Sequence, residues 1–334
     1  MQHKFILGAA SMALLGAGAL AYPQNDGGKG DKPVPKAEKY DKGMPTKGGA
    51  MCHKGSKVIG AKLVNTSNEK IGEIEDLVLD PTSGRIDFAV VSLEKRGADQ
   101  WYAVPFQSLA MAAHDGLKDG DRADAKKMSD MMDDPEFTLE LDTAKIESAP
   151  GFAKDKWPDL SAPAWRSDLD RHYGRSSQVS GDVINSRRAV RASKILDQDI
   201  YTMSDEKVGD IEELGIDARN GRVSFLVVST GGFLGIGDKL HALPWEAAKP
   251  QPGANKDSDK LVVDLNKDRL TKSPEFKKDD WNRMSETAYL NELYTYYGVR
   301  PYWTNAVDAS ARGTKAPMPP REKNGDKKDP NDPR

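Results

Sequence analysis

The pattern of apolar and polar positions repeats twice along the chain, in two blocks that are 137 residues apart. Residues 69–77 (EKIGEIEDL) match residues 206–214 (EKVGDIEEL), and residues 84–92 (GRIDFAVVS) match residues 221–229 (GRVSFLVVS). Thirteen of the 24 positions between 69 and 92 are identical in the second block. Solenoid repeats are shorter than this period, so the repeat predicts two tandem domains.

Alternating apolar positions within each block predict the strands of a small β-sheet. Ile86, Phe88 and Val90 share one face of a strand, and the apolar residues between them indicate burial on both faces. In the preceding strand the alternation changes phase once in each copy. This change predicts a β-bulge near Glu75 and Asp76 and another near Glu212 and Glu213, and such bulges bend strands toward a barrel.

The segments after these strands predict a tight hairpin, a last strand and a C-terminal helix in each copy. Residues 80–84 (DPTSG) and 217–221 (DARNG) place a turn-capping Asp four positions before a Gly that takes the left-handed conformation. Residues 137–141 and 261–265 are expected to close the sheet. Aromatic residues then recur at helical spacing, which favours the packed face of an amphipathic helix over a ligand platform.

Together these elements predict a mainly β protein with two small barrels in tandem, each followed by a helix. We call the two copies module 1 and module 2, and the first carries an insertion near residues 111–137. The polar linker between the modules predicts that they are loosely coupled. The predicted order is a signal peptide at 1–21, a disordered arm at 22–55, module 1 at 56–174, the linker at 175–192, module 2 at 193–303 and a disordered tail at 304–334.

The first 21 residues predict export from the cytoplasm. Lys4 gives a short positive head, residues 5–20 are apolar, and residues 19–21 (ALA) provide a small-x-small cleavage pattern. Cleavage after Ala21 would leave a periplasmic or secreted protein. No later segment approaches the ~20 consecutive apolar residues of a membrane-spanning helix, so the mature chain is expected to lack one.

Composition narrows the class of protein further. The 334 residues include 49 basic and 52 acidic side chains, a net charge of -3, which argues against a polycationic surface for nucleic acid. The arm and the tail are rich in Gly, Pro and Lys and bury too little apolar surface to fold. A single cysteine excludes an internal disulfide and a cysteine-cluster metal site.

Four motifs resemble the PRC-barrel domain family. They are EK[IV]G[ED]IE, DxxxGR followed by Ile or Val, VVS, and residues 232–245 (GFLGIGDKLHALPW). The resemblance covers roughly residues 56–110 and 193–250, and residues 94–101 of module 1 depart from the Gly-rich motif. It implies compact β-barrels that contact other proteins, and it carries no catalytic residue set.

The histidines argue against an enzyme and against a cofactor. His53 falls in the arm, His114 falls in the insertion, and His172 and His241 each align with a tyrosine of the other copy. No histidine is therefore shared by the two modules, and Cys52 lies outside both predicted barrels. A nucleophile needs a base within hydrogen-bond reach, so the sequence predicts no catalytic residue and no cofactor.

The sequence therefore favours a non-catalytic module that binds or scaffolds a protein of the cell envelope, without fixing its oligomeric state. Apolar side chains at the tip of a Gly-rich loop and exposed aromatic residues are the expected contact points, although the same residues could instead pack within the fold. The candidate binding residues are Phe233, Leu234, Trp245, Tyr296 and Tyr297.

A cation-binding or stress protein of the envelope is the alternative. Acidic side chains on the bulged strands could offer oxygen ligands to Ca²⁺, although their alternation between faces favours a solvated strand surface. Soft ligands would suit Cu(I), although the insertion is more simply interpreted as a mobile loop or a short helix. These ligands are Met51, Cys52 and His53 in the arm and Met128, Met131, Met132 and His114 in the insertion. The candidate oxygen ligands are Glu73, Glu75, Asp76, Asp210, Glu212 and Glu213.

Overall fold

The computed structural model describes most of both modules. It covers residues 52–97, 99–111, 133–174, 189–196, 198–231, 239–251, 260–265, 267–277, 281, 283–284 and 286–303. The predicted signal peptide, the predicted tail, the methionines of the insertion and the loop tip with Phe233 and Leu234 lie outside the described residues. No helix among the described residues is long and apolar enough to cross a membrane.

Module 1 and the residues just before it contribute strands β1 to β8 and helices α1 to α3. The strands are β1 (Cys52–Lys54), β2 (Lys62–Val64), β3 (Lys70–Leu79), β4 (Ile86–Leu93), β5 (Gln100–Pro105), β6 (Leu109–Met111), β7 (Glu136–Leu139) and β8 (Gly151–Ala153). The helices are α1 (Gly55–Val58), α2 (Thr143–Glu147) and α3 (Pro163–Tyr173).

Module 2 and the end of the linker repeat this order. The strands are β9 (Val190–Arg191), β10 (Asp199–Thr202), β11 (Lys207–Asp217), β12 (Arg222–Thr230), β13 (Lys239–Pro244), β14 (Ala248–Gln251) and β15 (Lys260–Val263). The helices are α4 (Lys267–Thr271) and α5 (Thr287–Tyr297).

Each module is built on one sheet, and the two sheets share one strand order, except that β8 of module 1 is replaced in module 2 by the isolated bridge between His241 and Glu275. The strand order is β6-β7-β2-β3-β4-β5-β8 in module 1 and β14-β15-β10-β11-β12-β13 in module 2. The neighbours are antiparallel, except that β7 pairs in parallel with β2 in module 1 and β15 pairs in parallel with β10 in module 2. The predicted fold class is confirmed: the protein is mainly β, with two sheets of which one is a half-barrel.

The bulges and hairpins predicted from the repeat are confirmed. The register between β3 and β4 shifts between Ile74 and Asp76, and the register between β11 and β12 shifts between Ile211 and Glu213. Each bulge places one extra residue in the longer strand, and this residue bends the strand and increases its local twist. Both hairpins turn through a left-handed glycine, with φ of 70° at residue 84 and 59° at residue 221.

The aromatic helices are packed against the sheets, as the helical spacing favoured. Helix α3 buries Leu169 and sets Trp165 edge-on to Phe88, with ring centroids 5.4 Å apart. Helix α5 buries Leu290 and Tyr294 completely. The principal apolar core runs through both modules, and a second cluster lies between the sheet of module 1 and the segment that carries α3.

Two short strands correct the expected domain boundaries. Residues 52–54, assigned to a disordered arm, form β1, and Cys52 and His53 at its start are fully buried. Residues 190–191, assigned to a linker, form β9. Neither strand has enough residues to show a period, so the sequence pattern gave no sign of either one.

Candidate functional site

The two modules exchange their N-terminal strands. Strand β1, which precedes module 1, pairs with β11 of module 2, and strand β9, which precedes module 2, pairs with β3 of module 1. His53 lies opposite Ile216, and Val190 lies opposite Leu79. Val190 is the repeat equivalent of His53, and Ile216 is the repeat equivalent of Leu79, each 137 residues further along the chain. The exchange is therefore reciprocal. A pseudo-two-fold axis relates the two modules.

Arg85 and Arg222 form an antiparallel β-bridge on this axis. On either side of the bridge, the backbone N–H of Ile86 donates to the Gly221 carbonyl and that of Val223 donates to the Gly84 carbonyl, each at 2.8 Å. The same surface of each module thus contacts its copy, as in an isologous dimer. We call this surface, formed by the two hairpins and the two exchanged strands, the junction.

Trp245 lies in the junction and not on a binding surface. Its side chain is 1% exposed, and its indole N–H donates to the Pro81 carbonyl of the opposite hairpin at 3.2 Å. A Cβ added to Gly84 would lie 2.7 Å from the indole ring, so glycine is needed there for close approach as well as for its φ. Phe106 occupies the matching place beside Gly221, which corrects the expectation that Trp245 contacts a partner.

Asp76 and Glu213, two of the candidate cation ligands, instead hold the exchanged strands. Asp76 accepts hydrogen bonds from the Ser193 hydroxyl at 2.6 Å and the Ser193 backbone N–H at 3.1 Å, and it pairs with Arg191 at 2.8 Å. Glu213 accepts the equivalent bonds from the hydroxyl and the backbone N–H of Ser56. We call these two sets of contacts the clasps. In each clasp the carboxylate oxygens that could bind a cation already accept hydrogen bonds from the exchanged segment.

A cation from each exchanged strand covers a tryptophan of the other module. The Arg191 guanidinium lies 3.7 Å from the ring centroid of Trp157, and the Lys54 ammonium lies 5.6 Å from that of Trp281. Cation–π contacts of this kind contribute about 0.5–1 kcal/mol at exposed sites and more when desolvated. Both strands are therefore fixed by backbone pairing, a carboxylate and an aromatic ring, which corrects the expectation of loosely coupled modules.

A comparison with protein families agrees with this symmetric arrangement. The profile of the PRC-barrel domain matches residues 53–131 and, separately, residues 187–270. The chain contains two PRC-barrel domains. Each match includes the exchanged strand at its start, and PRC-barrel domains are generally non-catalytic. None of the curated proteins compared with the chain matches it significantly.

The remaining candidate cation ligands of the two PRC-barrel domains do not converge. Glu73 pairs with Lys70 at 2.8 Å, and Asp210 pairs with Lys207 at 2.7 Å. Glu75 and Glu212 hold matching positions beside the two bulges. In the described part of the chain, no three His, Cys, Asp or Glu side chains are close enough together to hold a metal ion.

The tyrosines of α5 that were proposed to bind a partner are held by packing. Tyr297 is buried, and burial raises the pKa of its hydroxyl. Tyr296 is half-buried, and its hydroxyl donates to the Arg269 carbonyl at 2.6 Å while Arg269 donates back to the Tyr296 carbonyl at 2.8 Å. These contacts fix α5 against α4, so the role of the pair is in the fold of the second PRC-barrel domain.

One serine–histidine pair, which the sequence did not indicate, occurs in this domain. The Ser273 hydroxyl lies 2.9 Å from His241 Nδ1, which is the distance a nucleophile and its base require. However, His241 is 1% exposed and Ser273 is 6% exposed. Burial also lowers the pKa of the imidazole, and both side chains of the pair are enclosed by the fold.

A buried polar network beside the junction was also missed from the sequence. The Tyr294 hydroxyl donates to the Ser224 carbonyl and to Glu246, each at 3.0 Å. Arg222 lies 3.6 Å from Glu246 and also donates to the Ser83 carbonyl of module 1. Burial raises the pKa of the Glu246 carboxyl. Module 1 has Asp170 and Gln107 where module 2 has Tyr294 and Glu246. This difference between the copies is the sequence feature that distinguishes the network.

Proposed function

We propose that the protein is an exported, non-catalytic module that binds or scaffolds a protein of the cell envelope. Export is supported by the positive head, apolar run and cleavage pattern of residues 1–21. A binding role is supported by two domains of a generally non-catalytic family and by a Ser273–His241 pair that is closed to substrates.

The geometry of β12 is the observation that carries the proposal. Arg222 begins this strand at the junction, and Thr230 ends it eight residues later, roughly 26 Å away. Thr230 pairs with Lys239, so β12 ends and β13 begins at the end of the sheet remote from the junction, and Phe233 and Leu234 lie between these two residues in the sequence. A partner that contacts Phe233 and Leu234 would therefore not compete with the contacts that join the modules.

The binding proposal is tested by capture of a partner from an envelope extract with matched variants. We expect F233A/L234A to lose the partner that the unaltered chain retains, with a melting temperature within about 2 °C. Lys95→Ala with Arg96→Ala, in the corresponding loop of module 1, is the control and should retain the partner. Equal capture by both variants, or a large fall in melting temperature for F233A/L234A alone, would contradict the proposal.

Export is tested separately by expressing the full-length chain and measuring the mass of the product in each cell fraction. We expect a periplasmic or extracellular form whose N-terminus is Tyr22. A product that retains Met1 and stays in the cytoplasm would contradict export while leaving the binding test unaffected.

A further inference from the structure

The chain turns back onto module 2 after α5. Gly298 ends the helix in the left-handed conformation, with φ of 68°, and the next residues bury two large aromatic side chains. Tyr302 is 6% exposed and Trp303 is 5% exposed. We call residues 300–303 (RPYW) the latch.

The latch is held by specific polar and aromatic contacts. The Tyr302 hydroxyl donates to Asp217, and the Tyr302 ring faces the Arg222 guanidinium at 4.8 Å. Trp303 packs edge-on against Tyr294, with ring centroids 4.9 Å apart. The latch thus contacts the junction hairpin on one side and the buried polar network on the other.

These contacts place the latch over the joint between β1 and β11. Asp217, which receives the Tyr302 hydrogen bond, lies directly opposite Cys52 in the strand pairing. Ser224 links the other side, since its carbonyl accepts from Tyr294 and its hydroxyl lies 3.4 Å from the Cys52 thiol. Burial, with the nearby Asp217 charge, raises the pKa of the thiol to about 12.

Module 1 shares the hairpin, but its sequence lacks the aromatic residues of the latch. Asp80 and Arg85 hold the positions of Asp217 and Arg222, yet residues 175–188, which follow α3, contain no aromatic residue. The PRC-barrel match also ends at residue 270, before α5 and the latch. The Tyr302–Trp303 pair is therefore present in the sequence of one copy only, and it lies outside the matched region.

We propose that the latch is a releasable strap that controls whether the exchanged strand β1 stays on module 2. A short segment that follows a helix-ending glycine opens at a lower free energy than a whole barrel unfolds. When the latch opens, Asp217 and the end of β11 lose their cover. Strand β1, which has three residues, then detaches more readily than in the closed protein, whereas β9, which pairs with β3 of module 1, is unaffected.

The only cysteine of the chain reports this opening directly. The thiolate is the reacting species, and a pKa near 12 leaves almost none of it in the closed protein at about pH 8. Labelling of the purified full chain with a chromogenic disulfide reagent therefore follows the opened molecules. We expect Y302A/W303A to label at least tenfold faster than the unaltered chain under native conditions.

Tyr296→Ala is the matched control, because it removes another tyrosine of module 2 that contacts neither Asp217 nor β1. It should change the labelling rate less than twofold. Equal labelling of Y302A/W303A and the unaltered chain would overturn the proposal, and so would equal acceleration by Y302A/W303A and Tyr296→Ala, which would indicate general destabilisation.

Amide hydrogen exchange gives a second measurement that remains informative if the double variant folds poorly. Tyr302→Phe keeps the ring and removes only the hydroxyl that bonds Asp217. We expect this variant to exchange faster at residues 52–54 and at an unchanged rate at residues 190–191 of β9. Equal acceleration at both strands, or at neither, would show that the latch does not act on β1.

Discussion

Removal of the Trp245 side chain tests whether the junction joins the two modules. The ring belongs to module 2, but it packs on Gly84 and hydrogen-bonds Pro81 of module 1. Replacing a buried tryptophan by alanine costs about 3–5 kcal/mol of unfolding free energy. At about 2–4 °C per kcal/mol for a protein of this size class, the melting temperature of Trp245→Ala should fall by roughly 6–20 °C.

The conservative variant Trp245→Phe separates packing from hydrogen bonding. It keeps an aromatic ring, as at the matching Phe106, and leaves the Pro81 carbonyl without its donor. The expected loss is about 1–3 kcal/mol, the cost of one unsatisfied buried acceptor. Trp245→Phe should therefore lie between the unaltered chain and Trp245→Ala in melting temperature.

Differential scanning calorimetry is the appropriate assay because it also counts cooperative units. We expect one transition for the unaltered chain and two separated transitions for Trp245→Ala, since the variant loses a contact shared by both modules. A Trp245→Ala chain that melts within about 2 °C of the unaltered chain, in one transition, would refute the assignment of this residue to the junction.

Three further changes test the symmetry and the electrostatics of the junction. Gly84→Ala should lower the melting temperature more than Gly97→Ala, because both glycines have positive φ but only the first would press a Cβ against the indole ring; equal losses would contradict this. Glu246→Gln should raise the free energy of unfolding at pH 7, because burial raises the folded-state pKa of this carboxyl and its ionisation therefore opposes folding. Urea unfolding at a series of pH values should show this gain vanishing below about pH 4, where the carboxyl is protonated in both the folded and the unfolded protein. Ser193→Ala should cost about 1–3 kcal/mol in urea unfolding, because it removes a part-buried hydroxyl bonded to a clasp carboxylate, and Ser56→Ala should cost about 0.5–1.5 kcal/mol, because the equivalent bond is exposed; no loss at Ser193 would argue against the clasps.

The repeat, the bulges, the hairpins and the helices followed from sequence because each has a local pattern. The change of phase in the apolar alternation after Ile74 and the turn that ends in Gly84 each involve only neighbouring residues, and each recurs in the second copy. The exchange of strands had no such pattern. Strand β1 has three residues, and its partner β11 lies more than 150 positions away, so only the coordinates reveal the pairing.

The misplaced binding residues have a physical explanation. An aromatic residue shared by both copies, as Trp245 is with Phe106, indicates a contact that both modules need. In a pair of modules related by a two-fold axis, the shared contact is the surface on which they meet. The same reasoning applies to Asp76 and Glu213, whose matching positions beside the bulges mark clasps and not a cation site.

The pseudo-two-fold symmetry distinguishes two kinds of residue: those that occur in both modules and join them, and those that occur in one module only. Residues that form the junction occur as matched pairs, because an isologous surface needs both members. A function that involves one partner or one switch does not need two copies of its residues. It is therefore best sought where the copies differ, namely in the loop that carries Phe233 and Leu234 and in the latch that follows α5. Variants in these two segments should change binding or opening while the paired contacts at Gly84 and Gly221 keep the modules together.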